Sequence, residues 1–177
     1  MVHFCMFGGH EGELDPNKKV CITIFGGCEL KRPTVAKQIL DMRRNAEEHP
    51  RRPGSGHFFV TVFGSTELKS PTLAEEYIDL QDALQSGLLK LEDWDWAIAQ
   101  LAANDAYRIG SFTLFGGFGS SELPSENEEL DAMALNNYVG RVPEPAVKML
   151  QLGVGQAGSN RTAVIRQAVA TAQAATA

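Results

Sequence analysis

Thiol and imidazole side chains lie close together near the start of the sequence, and both are common zinc ligands. His10 and Cys28 each follow a Gly-Gly pair, so they occupy the same position when the two segments are aligned. Stacked strands would bring them within about 5 Å of each other, which makes them the candidate metal ligands. Cys5 and Cys21 lie on strand segments and are expected to point elsewhere. Because C-x-x-C spacing is absent, the favoured interpretation is that the cysteines are structural.

A glutamate recurs in three segments of similar sequence, as Glu29, Glu67 and Glu122. Stacked carboxylates could transfer protons or bind a cation. The neighbouring Lys31 and Lys69 favour another arrangement, in which glutamates and lysines form ion pairs on an exposed face. No histidine or serine of a catalytic triad lies beside the glutamates. The sequence therefore predicts no catalytic residue, and it indicates no cofactor.

Two further motifs could bind phosphate, and for both we favour a structural role. Residues 153–158 fit G-x-G-x-x-G, but the strand and acidic residue of a dinucleotide site do not follow, so we interpret them as a glycine loop before a helix. A basic cluster is partly neutralised by Glu47 and Glu48, which favours a solvated loop. His49 and His57 are expected to be solvated as well. The basic residues are Arg43, Arg44, Arg51 and Arg52.

Two tryptophans on one predicted helix differ in their expected environment. Trp94 continues an apolar stripe and is expected in the core. Trp96 lies about 200° farther around the helix, near Leu89 one heptad back. A second apolar patch indicates a partner or dimer surface, because Trp is a common interface anchor. The alternative is a helix buried on two faces, so Trp96 and Leu89 are candidate partner-binding residues and both interpretations stay open.

An internal repeat supplies the elements that must position these residues. VCITIFGGCELKRPT at 20–34 resembles FVTVFGSTELKSPT at 59–72, with a third copy, SFTLFGG, at 111–117 and a weaker one, HFCMFGG, at 3–9. The spacing between copies grows, so a constant unit carries insertions of variable length. The recurring positions are Phe25, Gly26 and Glu29; Phe63, Gly64 and Glu67; and Phe115, Gly116 and Glu122.

Each copy predicts a strand, a glycine corner and a second short strand. Val20 and Ile22 alternate with Cys21 and Thr23, and this period of two with β-branched residues is typical of a strand. Since both faces are largely apolar, we expect the strands to be buried on both sides. The glycines permit a tight corner, after which Cys28–Lys31 forms the second strand.

Two arrangements of these strands remain open. The corner could be an antiparallel hairpin, or equivalent strands could stack in parallel as in a solenoid. We favour stacking, because like residues would then form ladders. The predicted fold class is α+β: a small, solenoid-like stacked β-repeat sheet with helical insertions between the strand units.

Helical patterns fill the insertions. Thr72-Leu73-Ala74-Glu75 is a capping box, and the apolar stripe after it runs to residue 104 with a break near Ser86-Gly87. Another helix is predicted over 126–138, whereas 43–57 are predicted as a surface loop. Pro143 and Pro145 predict a stiff connection.

The predicted domain organisation has one main part and a short C-terminal part. Residues 1–150 form the β-repeat domain with its insertions. Residues 151–177 form the glycine loop and a C-terminal helix, packed on the same domain or fraying from it.

Composition excludes several classes of protein. The chain has 177 residues, a formal net charge of −6 and a pI of about 5.2, which argues against binding nucleic acid or anionic membranes. No apolar run approaches the roughly 20 residues that span a bilayer, and the start of the sequence lacks the features of a secretory signal. An odd number of cysteines then predicts reduced thiols and a cytoplasmic location.

The repeat resembles the strand-and-corner pattern of a known family. IFGGCELKRP at 24–33 and VFGSTELKSP at 62–71 are similar to the FGG-x-E-[LI]-x-x-P pattern of the cell-wall-active antibiotics response proteins, the LiaF-like C-terminal domain. The resemblance covers the strand units only. It implies a small stacked β-structure that regulates envelope-stress signalling kinases through protein contacts, and it supplies no catalytic residues. Unlike familiar members, this sequence has no preceding transmembrane helices and carries long helical insertions.

We therefore expect a non-enzymatic cytosolic binding or regulatory module, with a protein partner or a second copy of itself as its ligand. The alternative is a metal-binding protein or a hydrolase-type enzyme that uses the stacked glutamates or the His10–Cys28 pair.

Overall fold

A computed structural model describes residues 2–14, 20–48, 57–103, 109–120, 124–137, 141–156 and 158–177. In these ranges the chain is mixed α/β, with eight strands and six α-helices. The strands are β1 Val2–Phe7, β2 His10–Glu13, β3 Val20–Phe25, β4 Cys28–Lys31, β5 His57–Phe63, β6 Thr66–Lys69, β7 Ile109–Phe115 and β8 Phe118–Ser120. The helices are α1 Val35–Glu48, α2 Leu73–Gln85, α3 Trp94–Ala103, α4 Pro124–Asn137, α5 Glu144–Gln151 and α6 Gly158–Thr176.

The chain divides into two compact units. The first, which we call the β unit, comprises Met1–Pro33, Gln38–Ser70 and Ala97–Ser121. The second, the helical unit, comprises Thr34–Lys37, Pro71–Trp96 and Glu122–Ala177. The sequence-based division at residue 150 stays a prediction.

Equivalent strands of the repeat pair with one another in the β unit. The first sheet has the order β1-β3-β5-β7 and the second sheet β2-β4-β6-β8, and every pair is parallel. This confirms parallel stacking and excludes the antiparallel hairpin. The register is the one that the repeat predicts, since Phe7, Phe25, Phe63 and Phe115 are successive partners.

The corner between the two strands of a unit requires glycine. Gly26 and Gly64 have φ angles of +131° and +147°, a region that side chains with a Cβ rarely adopt. A Cβ on Gly26 would also lie 2.0 Å from the carbonyl oxygen of Gly8, and one on Gly64 would lie 2.0 Å from that of Gly26. The recurring glycine therefore allows neighbouring units to approach closely.

The interior of the β unit lies along the inner faces of both sheets. Cys21 and Phe59 of the first sheet are buried with Cys28, Leu30 and Leu68 of the second. Buried hydroxyl and thiol groups are paired across the corner: Thr23 with Cys28 at 3.4 Å, and Thr61 with Thr66 at 3.1 Å. The opposite face of the first sheet is not buried, so the expectation of two buried faces is wrong.

The predicted break in the helical pattern is confirmed, and two loop predictions are corrected. The chain leaves α2 after Gln85 and re-enters a helix at Leu91–Asp93, a short 3-10 turn before α3. Helix α1 extends to Glu48, so Arg43 and Arg44 are helical rather than in a loop. Pro143 and Pro145 lie at the start of α5, as its N-cap and its second residue. Proline is tolerated there because N–H groups in the first turn of a helix have no acceptor within the helix, so no hydrogen bond is lost.

Candidate functional site

The stacked strands bring together the two candidate metal ligands. His10 and Cys28 are direct partners on β2 and β4. The His3 ring contacts the His10 ring edge-on, with 4.7 Å between centroids. Cys21 shares the buried cluster of Cys28, so it does not point elsewhere as expected, because the inner faces of both sheets meet there.

This cluster lacks the arrangement of a metal centre. Cys28 is 1% exposed and its Sγ pairs with the Thr23 hydroxyl, while Cys5 Sγ donates to the carbonyl oxygen of Phe7 at 3.0 Å. In the described part of the chain, no three His, Cys, Asp or Glu side chains are placed to hold a metal ion. His10 and Cys28 are brought together, but a third ligand is not.

A row of glutamates crosses the second sheet. Glu11, Glu29 and Glu67 are successive partners on β2, β4 and β6, and all three are exposed. Sequence reasoning missed Glu11. The register pairs Glu67 with Gly119, and Glu122 lies outside the described residues. The row therefore begins one unit earlier than predicted.

The glutamate row borders an open groove of about 300 Å³. Glycine corners form its other wall, including Gly8 and Gly26. Lys69 forms an ion pair with Glu29, and this hydrogen bond raises the pKa of the Lys69 ammonium. The arrangement is the exposed ion pairing that the neighbouring lysines predict.

The predicted partner patch on the tryptophan helix is reduced to a single residue. Trp96 is 61% exposed and Trp94 is 1% exposed. Leu89 is 2% exposed, and it precedes α3, so no helical periodicity relates it to Trp96. Leu89 is therefore a core residue of the helical unit and is not at its surface.

The surroundings of the two candidate phosphate-binding motifs indicate a structural role. The loop at 153–156 follows helix α5 rather than a strand, and a Cβ on Gly155 would lie 3.7 Å from the carboxylate of Glu128. Arg44 pairs with Asp41 at 2.9 Å along α1. Arg51, Arg52 and His49 lie outside the described residues, as does the side chain of His57.

Buried ionisable groups in the helical unit hold helix ends. Asp131, 1% exposed, accepts a bidentate pair from Arg161 at 2.5 and 3.0 Å and a third bond from the N–H of Leu73 at 2.8 Å. Arg161 also donates to the carbonyl oxygen of Pro71. Leu73 is the first residue of α2, so this pair fixes the helix start.

Glu76 acts similarly on α1. Its carboxylate accepts from the N–H of Val35 at 2.9 Å, and Asp79 accepts from the hydroxyl of Thr34 at 2.8 Å. Burial raises the pKa of Glu76 to about 7, against the opposing effects of the Val35 hydrogen bond and the Arg161 charge. These carboxylates accept hydrogen bonds at the start of α1, which is a structural role.

The strongest candidate site is the outward side of the first sheet, which we call the outer face. Its side chains alternate with the buried Cys21, Thr23, Phe59 and Thr61. Every outer-face side chain is apolar and none is charged. They are Val2, Phe4 and Met6 on β1; Val20, Ile22 and Ile24 on β3; Phe58, Val60 and Val62 on β5; and Phe112 and Leu114 on β7.

Aromatic rings form a second exposed row at the corner, at positions that alternate with the outer-face residues Ile24 and Val62. Phe7, Phe25, Phe63 and Phe115 form a ladder with centroid separations of 5.4, 5.3 and 5.1 Å and interplanar angles of 12° or less. All four rings are exposed. This Phe ladder adds a row of stacked aromatic surface, and stacked rings are frequent anchors at interfaces.

Sequence reasoning missed the outer face because apolar residues on both sides of a strand are typical of a fully buried sheet. One signal in the sequence could have indicated it. The buried side of the central strands carries two threonines and a cysteine beside Phe59, whereas the other side carries only valine, isoleucine and phenylalanine.

Comparison with known proteins gives no relative. No model of a known family matches the chain, and neither a curated protein nor a solved structure does. Among the described helices, none combines the length and the apolar character needed to cross a membrane. The outer face is therefore the observation on which a functional assignment has to rest.

Proposed function

We propose that this chain is a non-enzymatic interaction module whose partner is a second copy of itself, bound through the first sheet. The observation that carries the proposal is the uncharged first sheet: its outer face is apolar and half-buried to exposed, and the exposed Phe ladder lies at its corner. Contiguous apolar surface of this kind marks interaction sites on folded proteins. Because no charge lies on this face, two copies can approach each other without like-charge repulsion there.

The alternative function, metal binding or hydrolysis, has weaker support. His10 and Cys28 are adjacent, but Cys28 is already paired with Thr23. The glutamates are exposed, and Glu29 is paired with Lys69. Neither set combines a nucleophile, a base and an orienting group within hydrogen-bonding reach.

The proposal extends to the solenoid arrangement of the units, the kind of process in which the module acts and its cellular location. We infer that each strand–corner–strand unit is one coil of a short solenoid, with the helices as insertions. The resemblance to the LiaF-like domain implies regulation through protein contacts, in line with this proposal, and would link the module to envelope-stress signalling. A cytoplasmic location, predicted from the reduced cysteines, belongs to the same proposal.

Light scattering over a wide dilution series of the purified chain tests the function. We expect reversible association that Phe112→Lys weakens, since a charge would then be buried in the contact. Leu152→Lys is the matched control and should associate normally. Leu152 is an exposed apolar residue directly after α5, in the helical unit. Trp96→Ala should also associate normally.

Two outcomes would contradict the proposal. One is a monomer at every dilution for the unmodified chain. The other is association that Trp96→Ala abolishes and Phe112→Lys does not change, which would place the contact on the helical unit instead.

A further inference from the structure

We propose that the contact forms between opposite ends of the strand stack, so that β7 and β8 of one copy pair in parallel with β1 and β2 of the next. This inference rests on the proposed self-association and names its geometry. Each copy would continue the first and second sheets of its neighbour. The assembly is then head to tail, and such heterologous contacts are open-ended unless they close into a ring.

The exposure of the Phe ladder identifies its two ends as incomplete. The inner rings, Phe25 and Phe63, are 45% and 44% exposed, whereas the end rings, Phe7 and Phe115, are 72% and 59% exposed. An inner ring is covered on both sides and an end ring on one. Placing Phe115 of one copy against Phe7 of the next would give both rings the environment of the inner ones.

The two edge strands lack the usual protection against pairing. No described strand pairs with the outer edge of β1 or of β7. Monomeric proteins commonly protect such edges with lysine, proline or a charged side chain that points inward. The sequences VHFCMF and IGSFTLF contain no charged residue and no proline.

Charge on the second sheet favours head-to-tail over head-to-head contact. The edge strand β2 carries Glu11 and Glu13, both exposed. Joining two β2 edges would bring four carboxylates together, which is destabilising. In the head-to-tail arrangement, the repeat register places Glu11 of one copy beside Gly119 of the other, because Gly119 ends the row that contains Glu67.

The area of the outer face also favours contact at the strand edges. Four strands about 4.8 Å apart and six residues long, at about 3.3 Å each, span roughly 400 Å². A standard interface buries about 800 Å² on each partner. Face-to-face packing alone would therefore provide about half of that area. Edge pairing instead joins the first sheets of two copies side by side, through main-chain hydrogen bonds in two sheets.

The last unit has free space beside its corner glycine, Gly117, where the next copy would lie. A Cβ on Gly9 or Gly27 would lie 2.2 or 2.9 Å from a carbonyl oxygen of the following unit. Gly117 occupies the same position in the last unit, and a Cβ there would meet nothing within 4 Å. The space beyond Gly117 matches the space that the next unit fills elsewhere in the stack.

A complementation experiment tests the geometry with two variants, Phe7→Lys and Phe115→Lys. Each variant damages one end of the stack, so each alone should associate about ten-fold or more weakly than the unmodified chain. An equimolar mixture should form dimers and stop there. The intact Phe115 end of one variant then joins the intact Phe7 end of the other. Sedimentation velocity measures the species, with Leu152→Lys as the control.

The possible outcomes separate the inference from the proposed function. A monomeric unmodified chain contradicts both. Normal association of Phe115→Lys, or a mixture that remains monomeric, overturns the head-to-tail contact and leaves self-association standing. Irreversible fibrils that bind an amyloid dye also overturn it. Circular dichroism verifies that the variants are folded, and the milder pair Phe7→Ser and Phe115→Ser provides the same test if the lysine variants are not.

Discussion

The β unit and the helical unit satisfy their buried polar groups in opposite ways. Among the described residues, the buried polar side chains of the β unit are neutral: Thr23, Gln38, Thr61 and Thr66. The helical unit instead buries two carboxylates, Glu76 and Asp131. None of the described charged side chains of the β unit is fully buried, and the pair of Glu29 and Lys69 is largely exposed.

This difference follows from how each unit forms its main-chain hydrogen bonds. Parallel strands satisfy their own N–H and C=O groups through the neighbouring unit, so the interior needs only close fit. Helices leave N–H groups unsatisfied at their starts, and buried starts require an acceptor side chain. We therefore expect the helical unit to be sensitive to changes of charge and the β unit to changes of shape.

The largest effect is expected for Arg161→Met. The substitution leaves the carboxylate of Asp131 buried, and among the described residues only the Leu73 N–H still donates to it. Removing one member of a buried ion pair typically costs about 3–5 kcal/mol. Urea denaturation followed by tryptophan fluorescence measures this loss, because both tryptophans belong to the helical unit.

Arg166→Met is the matched control for that prediction. Arg166 lies 3.8 Å from Asp95, and both side chains are partly or largely exposed. Its loss should cost at most about 1 kcal/mol. Equal losses for the two arginine variants would show that the buried pair is not the source of the helical unit's sensitivity.

The next effect tests shape in the β unit. In Gly64→Ala, the new Cβ would lie 2.0 Å from the carbonyl oxygen of Gly26, at a φ of +147°. Backbone strain and overlap each cost about 1–3 kcal/mol, so we expect a loss of about 3 kcal/mol. Gly117→Ala, which meets nothing within 4 Å, should leave thermal unfolding unchanged at dilutions where the chain is monomeric.

The repeat made the parallel stack predictable. Phenylalanine recurs at positions 25, 63 and 115, and parallel stacking explains this recurrence because it makes the three residues neighbours in a ladder. The same alignment predicts the pairing of His10 with Cys28. The capping box at Thr72 is predictable for another reason, because it is a local pattern of four residues.

Contacts between distant segments were not predictable in this way. Asp131 and Arg161 lie on different helices, and no spacing in the sequence relates them to the start of α2. Helix α5 was missed because prolines commonly end helices, although they are also compatible with a first turn. The exposure of the outer face depends on what covers the sheet, which strand periodicity does not report.

A pH-dependent effect is expected at Glu76. Its folded-state pKa is raised from 4.5 to about 7, so between these values the folded state binds more protons than the unfolded state. Stability contributed by the neutral carboxyl is therefore present below about pH 4.5 and is lost as the pH rises to about 7. The difference corresponds to about 3 kcal/mol.

Glu76→Gln should remove this dependence. The amide oxygen can still accept from the N–H of Val35, and no ionisation is required. Above pH 7 the variant should therefore be more stable than the unmodified chain by up to about 3 kcal/mol. Asp82→Asn changes an exposed carboxyl on the same helix and serves as the control. Parallel pH profiles for Glu76→Gln and the unmodified chain would contradict the prediction.

The smallest effect is expected for the exposed pair on the second sheet. Lys69 and Glu29 are 41% and 52% exposed, so Lys69→Met should cost at most about 1 kcal/mol. This loss of stability would come from repulsion among Glu11, Glu29 and Glu67, whose charges Lys69 no longer neutralises. High salt should reduce the loss because it screens exposed charges. Thermal unfolding in low and high salt measures both effects. A salt-independent loss comparable to that of Arg161→Met would mean that the β unit also depends on charge, and the comparison between the two units would fail.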